Sequence, residues 1–374
     1  MKQPSQRFLP LDIFRGMTVC FMIIVNTPGG PESYGILNHA HWHGCTPTDL
    51  VFPSFLFAVG NAMSFSMKKY ELLGNAAVLS KIFKRTFIIF LLGFLMYWLP
   101  FVRPAADGGL EMIPISETRI LGVLQRIALC YCMASLIIHY FSKKWVWTIS
   151  AIFLFGYWAI LWYCGTPGDQ YGIHGNAGMA LDKFVMGDAH LYKGEGFPFD
   201  PEGILSTFPA VVNVVAGYYA GLFVQQQGKT TAGLTRLIVA GAILIVLALL
   251  WNTAFPINKK LWTSSYVLYT VGIDLLLLSL LIYIIDIKSI TGWTGFFHVF
   301  GKNPLFLYLL SEVLFIVLVT IPVQGMNALE WINARIFQPA APGKLGSLLF
   351  AVTYMLVCWS VGKILDKKRI YIRV

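Results

Sequence analysis

Residues 233–251 read GLTRLIVAGAILIVLALLW, and from position 237 onward no side chain in the stretch carries a charge. A helix of about 20 such residues covers the roughly 30 Å hydrocarbon core of a bilayer. Similar stretches lie near 9–27, 49–67, 83–101, 119–140, 145–164, 203–225, 262–286, 303–323 and 344–363. The whole chain is 57% hydrophobic and only 12% charged, against a charged share of about a quarter in soluble proteins. None of the stretches shows the short alternating pattern of an outer-membrane barrel strand. The expected fold is therefore an all-α integral membrane protein, a polytopic bundle of about ten transmembrane helices. One transmembrane domain over 1–374 is expected, with a single substantial outer loop at about 165–202. The apolar run from about 293 to 323 is too long for one span, and Gly301-Lys302-Asn303-Pro304 interrupts it. Its first part is expected to lie along the interface or to re-enter.

Asp12 and Arg15 sit inside the first apolar run, which has no small-residue cleavage site, so that run reads as a retained helix rather than a signal peptide. Orientation follows from the basic residues. With both termini cytoplasmic, eighteen of the 28 Lys and Arg residues fall on the inner side, among them Lys2, Arg7, Lys68, Lys69, Lys229 and Arg373. The net charge of +10 is then mostly a consequence of topology, and no nucleic-acid partner is expected. Four of the six cysteines lie in spans. Cys45 and Cys164 are near the outer face, where a disulfide can survive in an oxidising compartment.

Ionisable groups at membrane depth are costly and are candidates for function or for helix pairing. Those in the spans are Asp12, Arg15, Arg126, Asp274 and Glu312. Asp12 and Arg15, three apart on a helix, can pair side by side. Arg15 and Asn26, eleven residues apart, share nearly one helix face about 16 Å apart along the axis. With Gln125, Arg126, Asn61, Ser206, Thr207 and Asn213 they suggest an internal polar pathway. On the outer side, residues 38–49 read NHAHWHGCTPTD. Three histidines in five residues are open to three readings: metal ligands, a solvated loop, or acid–base chemistry with Asp49 orienting an imidazole. No familiar spacing supplies a fourth metal ligand, so no metal is expected.

The chain resembles the heparan-α-glucosaminide N-acetyltransferase family, the lysosomal transmembrane acetyltransferase and its bacterial homologues. The resemblance is carried by RFLPLDIFRGMTVCFMIIVN, NHAHWHGCTPTDLVFPSFLFAVGNAMS, GVLQRIALCY, DPEGILST, NKKLWTSSYVLYT and GKNPLFLYLLSE, in family order across nearly the whole chain. It implies an enzyme that uses cytosolic acetyl-CoA to N-acetylate a terminal glucosamine or glycan amino sugar on the periplasmic or luminal side. The family's active-site histidine opens its HAxW motif, which here is His39. Its partner asparagine corresponds to Asn26, at a longer interval than the family's. His39 is then expected to be the general base, Asn26 an oxyanion donor and Asp49 the group that orients His39. Arg15, Gln125 and Arg126 are expected near the coenzyme. Localisation is expected in a bacterial inner membrane, with a homodimer as a possible assembly. An amino-sugar transporter or permease component, and an O-acyltransferase of an envelope glycan, are the competing functions.

Overall fold

A computed structural model of the chain describes residues 8–70, 74–104, 109–227 and 230–372. Lys2, Arg7, Lys229 and Arg373 of the basic tally lie outside these residues, as does the side chain of Lys69. The long helices are α1 (Leu9–Asn26), α2 (Pro47–Tyr70), α3 (Asn75–Trp98), α4 (Val123–Tyr140) and α5 (Lys143–Cys164). A short α6 (Ala177–Met186) precedes α7 (Ile204–Gln227), α8 (Thr231–Trp251) and α9 (Ser264–Ile282). The pair α10 (Thr294–Lys302) and α11 (Pro304–Thr320) is followed by α12 (Ala328–Ile332), α13 (Gln338–Ala340) and α14 (Lys344–Lys367). Among the described residues, eight helices are long and apolar enough to cross a membrane, or nine if α10 and α11 count as one broken span. The bend between these two is 84°. It falls where Pro304 cannot donate the hydrogen bond that would continue α10, at the interruption read from the sequence.

Two spans start away from their expected positions. Helix α3 begins at Asn75 rather than near 83 and carries Lys81, Lys84 and Arg85 in its first turns. Long basic side chains can snorkel from such turns while the backbone stays helical. Helix α4 begins at Val123 rather than 119, because Arg119 is drawn sideways to Asp200 and Glu202.

Small residues set how closely the helices approach. A side chain on Gly60 of α2 would put its Cβ 1.9 Å from the Val214 carbonyl oxygen of α7, and one on Gly217 would meet the Phe57 oxygen at 2.0 Å. Backbone-to-backbone packing of this kind replaces the hydrophobic drive that is lost in lipid. Gly60→Leu is expected to lower stability by about 1–3 kcal/mol or more by overpacking. Thermal unfolding in detergent measures this, and an unchanged midpoint would contradict the packing argument. Gly16 and Gly301 bring α1 and α10 together similarly, with a Cβ on Gly301 falling 2.3 Å from the Asp12 oxygen.

The loops gather at two ends. At one, Gly44 of the histidine loop donates to Ile257 O (2.8 Å), Trp42 Nε1 to Tyr171 O (2.8 Å), and Gly29 lies against Ser347 at the start of α14. At the other, Lys302 meets Asp366 and Lys68 meets Gln225. The 165–202 loop is held at the first end by α6, which Asn176 caps by accepting from Met179 N (2.8 Å). Cys45 and Cys164 are both free thiols.

Candidate active site

Asp49, in the first turn of α2, organises the histidine loop. Its Oδ2 accepts from Thr46 N (2.9 Å), Thr46 Oγ1 (3.0 Å) and Ala40 N (3.0 Å), and its Oδ1 lies 2.7 Å from His39 Nδ1. Its backbone carbonyl accepts from Tyr266 OH at 2.5 Å. A carboxylate so surrounded can only accept, so Nδ1 carries a ring proton, and in the neutral ring that tautomer leaves the lone pair on Nε2. The Asp49 side chain is 1% exposed and the His39 ring 43% exposed. His39 is thus open to a ligand while Asp49 beside it is shut away from water.

The other two histidines point elsewhere. His43 Nδ1 sits 3.4 Å from Asn258 Nδ2, and burial pulls this imidazole below its ordinary pKa. His41 contributes its backbone carbonyl, which accepts from Lys260 Nζ at 3.0 Å. Burial, with the Asp49 charge beside it, pushes the Cys45 thiol up to about 12, so it is not a thiolate nucleophile at neutral pH.

His39 opens onto a cavity of about 570 Å³ that Asn26, Tyr97, Arg119, Glu195, Glu202, Lys259, Tyr308 and Glu312 also line. Asn26 Nδ2 reaches Glu312 Oε1 at 3.4 Å. Arg119 lies between the rings of Tyr97 and Tyr192 (4.8 and 4.7 Å to the centroids) and pairs with Asp200 and Glu202, both at 2.7 Å. Burial pushes the Glu202 carboxyl up, but Arg119, Arg126 and Lys259 together outweigh it and hold the group below the usual carboxylate range. Glu202 therefore faces the cavity as an anion.

A second cavity, of about 340 Å³, enters from the opposite end and is lined by Asp12, Arg15, Arg85 and Lys302 among apolar side chains. Arg15 is held by Asp12 (2.9 Å) and by the Gly301 carbonyl (Nε, 3.1 Å), and Lys302 by Asp366 (2.7 Å). Arg85 lies over the Tyr131 ring (4.6 Å), and its buried Nε has no hydrogen-bond partner among the described residues. Helices α1, α2, α3, α4 and α11 line both cavities. In α2 the nearest residues on the two sides are Phe52 and Phe55, and in α11 they are Tyr308 and Leu305. Three residues of helix amount to about 4.5 Å of rise, so the partition is thin along α2, α11 and α4 (Val123 and Leu124) and thicker along α1 (Arg15 and Met22) and α3 (Ile89 and Tyr97).

The sequence-expected residues thus divide. His39, Asp49 and Asn26 gather at the outer cavity and Arg15 lines the inner one, but Gln125 and Arg126 line neither. Arg126, 1% exposed, donates to Gly203 O (3.0 Å) and to Ser206 Oγ and lies over the Trp262 ring. It pins the start of α7. Gln125 is wholly buried beside Gly93, with its amide atoms unbonded among the described residues. Sequence reasoning gave no site role to Arg85, Lys259, Lys302, Glu202 or Tyr308. Four of these lie in the blocks DPEGILST, NKKLWTSSYVLYT and GKNPLFLYLLSE, where the signal was present without an assigned chemistry.

Comparison with known proteins gives one consistent result. A family model described as "Heparan-alpha-glucosaminide N-acetyltransferase, catalytic" matches residues 7–257. The heparan-alpha-glucosaminide N-acetyltransferase of Mus musculus is 29% identical, over 84% of this chain and 54% of that protein. That of Homo sapiens is 28% identical, over 82% of this chain and 53% of its own. The chain spans about half the length of the curated relatives it matches.

Proposed function

We propose, because the chain belongs to the heparan-α-glucosaminide N-acetyltransferase family, that it transfers an acetyl group from acetyl-CoA to the amine of a terminal glucosamine or related amino sugar. The donor would enter from the cytoplasmic end, carrying Arg15, and the acceptor from the periplasmic or luminal end, carrying His39. A bacterial inner membrane is the setting this reading favours. The observation that carries it is the His39–Asp49 pair, open to one cavity while a cation-lined cavity approaches from behind.

The inner cavity fits an anionic coenzyme. Arg15, Arg85 and Lys302 supply positive charge to its lining. The coenzyme supplies an activated thioester; the remaining chemistry falls to the chain. An ammonium is not a nucleophile, so the sugar nitrogen must first lose one proton to solvent, and a base must take a second as the neutral amine bonds to the acyl carbon and the C–S bond breaks. His39 Nε2 takes that proton and can return it to the departing sulfur. Asn26 Nδ2 can donate to the acyl oxygen as negative charge develops there. Glu195, Glu202 and Glu312 line the outer cavity together with Arg119, Lys259 and Lys260, so it offers acceptors for an amino sugar's N–H and O–H groups and donors for its oxygens.

Purified protein given acetyl-CoA and glucosamine is expected to release free CoA and form N-acetylglucosamine. Sugar accumulation in proteoliposomes without this turnover would identify a transporter, and acetylation of a hydroxyl would identify an O-acyltransferase. Arg85→Ala is expected to raise KM for acetyl-CoA about tenfold with kcat little changed, the effect of losing one charge-assisted hydrogen bond that serves binding alone. An unchanged KM would remove Arg85 from the coenzyme site.

A further inference from the structure

Lys259 lies 220 positions from His39 in sequence, yet its Nζ is 3.1 Å from His39 Nδ1 and 3.2 Å from Nε2. The same nitrogen is 3.9 Å from Asp49 Oδ1. Contact with both ring nitrogens places the ammonium against the imidazole itself.

The turn that carries Lys259 is rigidly built. Asn258 is wholly buried; its N–H donates to Thr263 Oγ1 (3.0 Å) and its Oδ1 accepts from Leu261 N (2.9 Å). Trp262 adopts a left-handed φ of 54°, a conformation that bulky residues rarely take and that surrounding structure must enforce. Here the enforcement comes from Trp262 N donating to Lys259 O (3.0 Å), from its indole N–H on Asn213 (3.1 Å), and from edge contacts with Phe52 and Tyr266. On the other side, Lys260 ties the turn to Glu195 (2.7 Å) and to His41 O (3.0 Å). Lys259 is aimed at His39 by this frame.

The charges around the ring explain what such a lysine does. Asp49 on Nδ1 favours the imidazolium, and a histidine held charged cannot act as a base. Glu202, Glu195 and Glu312 face the same cavity and push in the same direction, while Arg119 and Lys260, engaged with Asp200, Glu202 and Glu195, offset part of that push. Lys259 is the cation in contact with the ring. Burial pulls the Lys259 ammonium below the ordinary lysine range, and Glu202 and Asp49 pull it back up. Two positive charges at about 3 Å are mutually unfavourable, and lysine starts about four pH units above histidine.

We propose that Lys259 is a positioning residue that keeps His39 neutral, offsetting Asp49 so that Nε2 retains its lone pair at physiological pH. This rests on the acetyltransferase reading for its purpose. It also makes His39 a relay: once the ring takes the amine proton, the adjacent ammonium favours handing it on to the departing sulfur.

The test compares full-length wild type with Lys259→Met, Lys259→Gln and Lys259→Arg. The rate of carbethoxylation of His39 by diethyl pyrocarbonate is followed against pH, with fragment mass spectrometry separating it from His41 and His43. Only neutral imidazole reacts, so the midpoint reports His39 directly, without turnover. The two neutral variants are expected to raise that midpoint by about one pH unit or more, and the arginine variant to stay near wild type. The acid limb of kcat/KM for glucosamine should move in parallel. An unshifted midpoint in either folded neutral variant overturns the proposal, even if acetyl transfer is normal. A shifted midpoint in a protein that acetylates no amino sugar supports the tuning by Lys259 and removes the acetyltransferase reading instead.

Discussion

His39→Ala is expected to lower kcat for amino-sugar acetylation by roughly 10²–10⁴-fold, the range that a positioned general base contributes. The protein should stay folded, because the ring is half-exposed and Asp49 keeps the three donors on its Oδ2 after the ring is gone. Turnover of acetyl-CoA with glucosamine, set beside the thermal midpoint of the same preparation, separates chemistry from stability. Near-normal kcat would move the base to another group. Among the described residues neither His41 nor His43 has a carboxylate partner in the place of Asp49: His41 offers its carbonyl to Lys260 and His43 meets an amide.

Asp49→Asn is expected to cost roughly 10²–10⁴ in kcat, through the tautomer of His39 rather than through loss of a contacting group. The carboxylate can satisfy both sides at once because each of its oxygens accepts. An amide cannot. If its oxygen faces Thr46 N and Ala40 N, its NH2 points at His39 Nδ1 and forces the proton onto Nε2, where the lone pair is needed. If it turns over, the NH2 faces two backbone N–H groups, and the unmet donors cost about 1–3 kcal/mol in a site only 1% exposed. Measured kcat and melting midpoint together tell which orientation wins. A near-wild-type kcat would show that Asp49 has no part in orienting the base.

Some of the site was legible because its geometry is local. Asp12 and Arg15, three apart on one helix, pair as that spacing requires. Arg15 and Asn26 share one face of α1, and they line the inner and outer cavities respectively. His39 and Asp49 meet across ten residues of loop that the carboxylate itself folds, through Ala40 N and Thr46 N. Gln125 and Arg126 illustrate the limit. Adjacent helical residues point about 100° apart, and hydropathy does not say which of them turns toward a cavity. Their neighbours Val123 and Leu124 do so, while Arg126 turns to α7 and Gln125 to α3.

The sequence by itself determined that this chain is a bundle of membrane-crossing helices, where nearly all of them run, and that the HAxW histidine has a carboxylate within reach. Hydropathy, helix phase and short loops are properties of neighbouring residues. The tertiary structure alone decided that Lys259 rests against His39, that Arg85 and Lys302 join Arg15, and that two cavities lined by the same five helices approach each other from opposite ends. Those outcomes depend on how each helix is rotated and how closely its neighbours approach. Contacts such as Gly60 on Val214 and Gly301 on Asp12 fix both, between residues more than a hundred positions apart in the chain.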